Sequence, residues 1–381
     1  MAHIVVIGTN PGSLANFRGP LIRAMVDNGH QVTAMATGAT EQHIARVKAL
    51  GADYIDYDVH RSGLNPLRDL ATFFNLRRVF RELQPDIVLA YTAKPVIWGG
   101  LALRSISRRV RFYASITGLG FALQSGGLRR RLLSSLVAGL YKLAVGSVGA
   151  VIFQNPDDAR VFVDRRIVGR DRVRLVNGSG IDLDRFQVQP GPDNAALEFL
   201  MIARLLREKG VLEFVEAARL TRNKFPDTVF RLVGPKDPSP DGIPASEIAS
   251  WEAKGVVDYK GPTSDVRPFI ADSDVYVLPS FCGEGVPRSV LEAMSVGRPI
   301  LTTDNVGCRE TVIPGENGFL VPVRDAQALA ERMIWFIENR HELDRMGRAS
   351  RALAEDRFDV HKVNAAMLSV MGLDGDAEGA A

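Results

Sequence analysis

The chain is poor in cysteine. Cys282 and Cys308 are its only two, too few for a disulfide framework, and a reducing cytoplasm is the natural setting. It also lacks a run of about 18 apolar residues, the length a membrane span needs. The best candidate, Leu132 to Tyr141, is short and closed by Lys142. At the start, His3-Ile4-Val5-Val6-Ile7-Gly8 has no basic lead and runs straight into a turn. It is therefore expected to be a first strand rather than a signal peptide. The histidines His3, His30, His43, His60, His341 and His361 show no metal-ligand spacing. Acidic residues are missing altogether between Asp86 and Asp157, a stretch that holds Lys94, Arg104, Arg108, Arg109, Arg111, Arg129, Arg130, Arg131 and Lys142. A region of one charge sign attracts phosphates, anionic lipid or nucleic acid. The plain alternative is a solvated basic face without a dedicated partner.

What is present describes a globular protein. Hydrophobic residues make up 46% and charged residues 24% of 381, enough for two or three domains with large cores. The first half alternates apolar runs with helix-period segments. Ile4 to Ile7, Gln31 to Ala36, Asp86 to Ala90, Arg111 to Ile116 and Ala150 to Phe153 read as strands, Phe17 to Asp27 and Pro66 to Leu83 as helices. Gly8 to Gly12 reads as a turn, and Asn28-Gly29 as a left-handed helix stop. The strand runs are continuous rather than alternating, as in a parallel sheet buried on both faces. Asn177 to Pro192 is rich in Gly, Pro, Asp and Asn and reads as a connection. The pattern restarts at Leu197 to Ala203, with strands at Val229 to Val233, Val256 to Tyr259, Val275 to Leu278 and Pro299 to Thr302. The fold class is α/β, two doubly wound, Rossmann-like units facing a cleft, with ligands beyond the carboxyl ends of the strands. The expected limits are an acceptor-binding domain over 1–180, a linker over 181–195 and a donor-binding domain over 196–358. Residues 359–381 are expected to form a C-terminal helix and a small, acidic, disordered tail.

Two segments carry chemistry. Pro279 to Ala293 follows a strand and opens a helix. Its glycines let backbone approach a ligand, and a helix N-terminus suits a phosphate. Glu284 lies before that helix and Glu292 about two turns into it. As ionised carboxylates both accept hydrogen bonds from sugar or ribose hydroxyls; the bland reading is two solvated glutamates. Earlier, Arg204 ends a strand and Lys209 begins a helix. A forked guanidinium and an ammonium suit a diphosphate, although surface charge is the commoner fate of such residues.

Arg204-Leu205-x3-Lys209-Gly210 with Glu284-x7-Glu292 resembles the donor site of family 4 retaining glycosyltransferases of the GT-B fold. The likeness extends over nearly the whole chain: Asn16 to Ile22, Tyr91 to Pro95, Ile116 to Gly120, Gln154 to Asp157 and Val176 to Asp182 are similar to members that build bacterial surface polysaccharides on polyprenyl-diphosphate carriers. The resemblance implies a UDP-sugar donor, no required metal, and transfer of a hexose or N-acetylhexosamine to a polyprenyl-diphosphate-linked sugar. It implies that Arg204 and Lys209 neutralise the leaving diphosphate, that Glu292 holds the ribose, and that Glu284 contacts the donor sugar. Backbone at Gly285, Val286 and Pro287 would lie against sugar and phosphate, with Gly12 approaching from the other domain. Asn16, Arg18, Lys94 and Thr117 are the acceptor-side candidates; a structural ion pair or a free surface charge is the alternative for Arg18 and Lys94. Many relatives carry a His where Thr117 stands, so no side-chain base is assigned for the acceptor.

Other features weigh less. Asp272-Ser273-Asp274 and Asp374-Gly375-Asp376 have a metal-binding form, but the first fits a strand boundary and the second a tail. Cys282 and Cys308 read as two small buried thiols. Gly8-x3-Gly12 lacks the full dinucleotide glycine pattern. The family points the basic stretch, 87–156, at an anionic membrane surface, with Gly127 to Gly146 as an amphipathic docking face and the protein peripheral at the inner side of the cytoplasmic membrane. Phe112, Tyr113 and Phe121 interleave the basic residues, but no nucleic-acid motif accompanies them, and no nucleic-acid partner is expected. The competing readings are a sugar-nucleotide epimerase of this fold and a non-catalytic nucleotide or nucleic-acid binder.

Overall fold

The structure is a computed structural model that describes residues 1–59, 65–106, 109–119, 128–193 and 195–374, without the side chains of 128–130 and 147. His60, Arg108, Gly120, Phe121, the side chains of Arg129 and Arg130, and Gly375-Asp376 of the tail lie outside the described residues. The chain divides into two compact units, Met1–Ser179 with His361–Ala381, and Gly180–Val360.

The first unit is built on β1 (His3–Ile7), β2 (Gln31–Ala36), β3 (Asp53–Asp56), β4 (Ile87–Tyr91), β5 (Arg111–Ile116), β6 (Ala150–Phe153) and β7 (Val173–Leu175). All pair in parallel, in the order β3-β2-β1-β4-β5-β6-β7. Alternate residues of β1 enter different cores: Val5 and Ile7 face one helical layer, Ile4 and Val6 the other. Both faces are covered, which is why the sequence shows unbroken apolar runs. The last helix, Val360–Met371, places Val363, Met367, Leu368 and Met371 in the second of these cores.

The second unit repeats the plan with β8 (Glu198–Ile202), β9 (Val229–Val233), β10 (Asp258–Tyr259), β11 (Val275–Leu278), β12 (Ile300–Thr303) and β13 (Gly318–Val321), ordered β10-β9-β8-β11-β12-β13 and again parallel. The strand order reverses at β1/β4 in the first unit and at β8/β11 in the second. Loops at these reversals are where open α/β sheets bind ligands.

Several expectations shift. Strands β3, β7 and β13 were not foreseen. The turn after β1 is shorter than expected, because Asn10 caps a helix, Pro11–Asn16, by accepting from the Gly12 N–H. Arg18 precedes the next helix, Gly19–Asp27. Gly29, at φ +79°, is the left-handed stop, whereas Asn28 is not left-handed. Residues read as a linker pack into the second unit. Ile181 and Phe186 join its core. Buried Arg298 donates to the carbonyls of Gln189 and Pro190 on one side and of Ile270 and Ala271 on the other. Arg351 donates to Phe186 and Ser295. Two guanidiniums, each answering backbone carbonyls, hold this stretch down beyond the short bridge that Ile181 makes with Asp359.

Candidate active site

In the second unit the two chemistry-bearing segments meet at the β8/β11 reversal. Arg204 stands two residues beyond β8, outside the strand. Lys209 does not begin a helix but ends a single 3-10 turn, Arg207–Lys209. Gly210 then starts the helix Val211–Lys224 at φ +79°. Only glycine fits there: a Cβ on Gly210 would sit 2.1 Å from the Pro279 carbonyl oxygen. This close approach locks the Lys209 turn against the loop after β11. The same contact is hydrogen-bonded, the Phe281 and Cys282 N–H groups both donating to the Glu208 carbonyl at 3.0 and 3.2 Å. From the far side Asn305, just past β12, donates to the Cys282 carbonyl at 2.6 Å, and the Thr303 hydroxyl donates to that of Ser280.

On this frame Lys209 forms an ion pair with Glu284. The Glu284 oxygen that takes the ammonium also accepts from the Ser280 hydroxyl at 3.0 Å and the Cys282 thiol at 3.3 Å. Burial pushes the Glu284 carboxyl up, but the charge and hydrogen bond of Lys209, with those two donors, more than offset it and hold it below the ordinary range. Burial likewise opposes the Lys209 charge, and Glu284 more than restores it. Glu284 is therefore an anion, and an acceptor only, at neutral pH. The thiols of Cys282 and Cys308 are pushed up to about 12, chiefly by burial with Glu284 adding. They stay protonated and unreactive.

Arg204 pairs with Asp237 at 3.1 Å and remains 60% exposed, so its guanidinium can swing to a ligand. The helix of the donor segment begins at Arg288 and ends at Val296, which puts Glu292 only one turn in rather than two. Arg288 pairs with Glu292 at 3.1 Å. Burial raises the Glu292 carboxyl, with the Arg288 charge opposing. The N-cap of this helix is Pro287, which makes no side-chain cap, and the positive end of a helix suits an anion. Gly307, at φ +79°, would carry a Cβ only 1.6 Å from the Gly285 carbonyl oxygen; this second forced glycine sets the height of the Gly285–Pro287 backbone.

In the first unit Gly12 sits in the opening turn of its helix, and an added Cβ would lie 3.6 Å from the His43 Nε2. His43 itself caps the helix Glu41–Lys48 with Thr40, and its place beside Gly12 was not foreseen. Asn16 is exposed and accepts from Arg46. Thr117 is half-buried just past β5. The other two acceptor candidates are not surface cations. Arg18 is buried, its guanidinium 5.1 Å from the centroid of the Tyr91 ring. Lys94 forms a buried ion pair with Asp69 at 2.7 Å, as the structural alternative expects. Between them Thr92 adopts φ +68° and buries a hydroxyl without a hydrogen-bond partner, a strained position at the β1/β4 reversal.

Asp272-Ser273-Asp274 lies at the entry of β11, the opposite end of that strand from Glu284. Asp274 is buried and accepts from the Glu198 N–H at 2.8 Å, as a strand-boundary residue does. Among the described residues no group of His, Cys, Asp and Glu side chains is disposed to hold a metal. Partners missed from sequence are Asp237, Ser280, Arg288, Thr303 and Asn305.

The comparisons with known proteins follow this division. Residues 184–353 match the family model described as glycosyl transferases group 1, and residues 20–185 match that of glycosyltransferase family 4. The chain is 30% identical to the N,N'-diacetylbacillosaminyl-diphospho-undecaprenol alpha-1,3-N-acetylgalactosaminyltransferase of Campylobacter jejuni, over 86% of this chain and 87% of that one. The chain is a family 4 glycosyltransferase. It is also 24% identical to the UDP-Gal:alpha-D-GlcNAc-diphosphoundecaprenol alpha-1,3-galactosyltransferase of Escherichia coli, over 74% of this chain and 76% of the other. Among solved structures, the Anabaena protein HepE in complex with UDP and glucose superposes with a TM-score of 0.77 at 19% identity, over 98% of this chain and all of that one. A glycosyltransferase from Rickettsia africae gives 0.77 at 17%, over 99% of both chains. These establish the GT-B fold. Neither curated relative is an epimerase or a nucleic-acid binder.

Proposed function

We propose that this glycosyltransferase moves a hexose or N-acetylhexosamine from a UDP-sugar to a polyprenyl-diphosphate-linked sugar, with retention at the anomeric carbon, in surface polysaccharide or lipid-linked glycan synthesis. The observation that carries the reading is the meeting of Arg204, Lys209, Glu284 and Glu292 at one strand-order reversal, each already in an ion pair that a donor can replace. The diphosphate takes Arg204 and Lys209 from their carboxylates. Charge grows on its oxygen as the C1–O bond breaks, and two prepositioned cations with a helix N-terminus stabilise it. Glu284, released from Lys209 and ionised, accepts from the donor sugar's hydroxyls. Glu292 accepts from the ribose. Backbone at Gly285, Val286 and Pro287 lies against sugar and phosphate. Transfer then needs no metal, since two side-chain cations supply the countercharge, and chelator leaves the rate unchanged. With Thr117 in place of a His, the acceptor proton goes to the departing phosphate as the acceptor attacks from the same face. The two curated relatives, whose names specify undecaprenyl-diphosphate-linked sugars, support the acceptor class.

The protein works as a peripheral enzyme on the inner face of the cytoplasmic membrane. Among the described residues no helix is long and apolar enough to cross a bilayer. The helix Leu128–Ala144 exposes Leu132, Leu136 and Leu143, at spacings that fall on one helical face. This is an amphipathic face in the acid-free stretch, suited to anionic lipid. Lys209→Ala abolishes transfer and leaves the fold intact; near-normal turnover in that variant overturns the donor-site assignment.

A further inference from the structure

A cavity of 480 Å³ lies at the amino-terminal end of the first sheet's strands, the opposite end from the β1/β4 loops, lined by Lys142, Arg166, Arg170 and Arg172 together with Val163 and Ile167. Lys142 is near the end of the helix that leads into β6, and residues 165–172 lead into β7, so the cavity sits where those parallel strands begin. Among the described residues Lys142, Arg166 and Arg170 have no ion-pair partner. Arg172 donates to the Gly146 carbonyl at 3.1 Å and lies 3.9 Å from Asp171, itself 79% exposed. Four cations thus meet one well-hydrated carboxylate.

Arg166 is held there against its backbone preference. The helix Pro156–Asp164 ends with the Arg166 N–H on Val163 and the Ile167 N–H on Phe162, a Schellman closure whose left-handed residue is ordinarily glycine or asparagine. Arg166 fills it at φ +54°. A strained arginine aimed at a basic cavity is an outlier that points to function. Beside the cavity the same helix that carries Lys142 exposes Leu143, at 55%, in line with Leu132 and Leu136. A soluble anion has no use for that apolar face. A nucleic acid would want stacking rings, and none lines the cavity.

We propose that this cavity takes the phosphate headgroup of an anionic membrane lipid while the Leu132–Leu136–Leu143 face enters the acyl boundary. The proposal rests on the membrane-docking reading above and gives it a headgroup site separate from the donor site. The test is flotation of the full chain with vesicles of phosphatidylcholine alone or mixed with phosphatidylglycerol in equal parts. The parent protein, Arg166→Gly/Arg170→Gln, and a Leu132→Ser/Leu136→Ser control are compared, and each variant's melting temperature is measured. Each cation lost near the surface lowers partitioning about fivefold, so the arginine pair costs about thirtyfold on the anionic vesicles. Its melting temperature holds or rises, because glycine relieves the left-handed strain. The leucine control falls on both vesicle types. Binding by the parent that the arginine variant retains overturns the headgroup site alone. A parent that binds neither vesicle overturns the docking reading and the site with it. Release from anionic vesicles by inorganic phosphate at matched ionic strength, where chloride does not release, shows a plain phosphate site and overturns the lipid assignment.

Discussion

Lys209→Ala separates what the Lys209–Glu284 pair does for stability from what it does for transfer. Removing one partner of a buried pair costs about 3–5 kcal/mol, because the other charge is left uncompensated. Here the side chains keep 17% and 15% exposure, and Glu284 keeps Ser280 and Cys282 as donors. The expected loss is therefore smaller, about 2 kcal/mol. Its pH dependence has a definite sign. In the parent protein Glu284 sits below its ordinary 4.5, so its stabilisation is present above that pH and is lost as pH falls through the lower folded value. In the variant, burial is opposed only by the Ser280 and Cys282 donors, so the carboxyl rises from its parent value and the variant gains on the parent as the solution is acidified. Urea unfolding at neutral and mildly acidic pH reads this gap, widest at neutral pH. Glu284→Gln in the same chain removes the buried charge and recovers most of the lost stability. Transfer follows another rule: loss of a prepositioned group that stabilises transition-state charge costs about 100- to 1000-fold in kcat, in the single and the double variant alike. A single variant as stable as the parent at neutral pH, or a double variant that regains turnover, refutes the reasoning.

Other sites give independent checks. Lys94→Met strands the buried Asp69 carboxylate and costs about 3 kcal/mol by urea unfolding, and adding Asp69→Asn restores most of it. Glu198 is buried at the start of β8, and its carboxyl is raised to about 7, burial leading with Arg231 opposing. The folded state favours the proton, so the chain loses about 3 kcal/mol as pH rises from its ordinary 4.5 to 7. Glu198→Gln abolishes that slope, which unfolding at stepped pH reads directly. Gly307→Ala pushes on the Gly285 carbonyl and displaces the donor loop, lowering kcat/KM for the nucleotide sugar by about a hundredfold in steady-state kinetics.

Central strands and the main site residues were legible in the sequence for the same reason: both are written locally. β1, β2, β5, β6, β9 and β11 lie at or within a residue of the expected bounds because continuous apolar runs have few alternatives. Strands β3 (Asp-Tyr-Ile-Asp) and β7 (Val-Arg-Leu) are edge strands at the two ends of the first sheet. Their polar, short sequences carry too little period to be seen. β13, the last strand of the second sheet, opens on a glycine at φ +158°, a residue that reads as a turn. Arg204, Lys209, Glu284 and Glu292 could be named as candidates because they flank strand–turn–helix junctions and match the donor-site pattern of the family the chain resembles. Their partners could not. Asp237 is 33 residues from Arg204, and nothing local marks it. The Lys94–Asp69 pair was hidden for the same reason, since Asp69 lies 25 residues away on a helix that the sequence places separately.

Transfer itself is the most direct measurement. Purified protein is incubated with a UDP-sugar and a synthetic polyprenyl-diphosphate-linked sugar, and UDP release and product stereochemistry are followed by NMR. The account predicts acceptor-dependent UDP release and a product that keeps the donor's anomeric configuration, both lost in Lys209→Ala. An inverted product, or a sugar nucleotide epimerised without any acceptor, contradicts it.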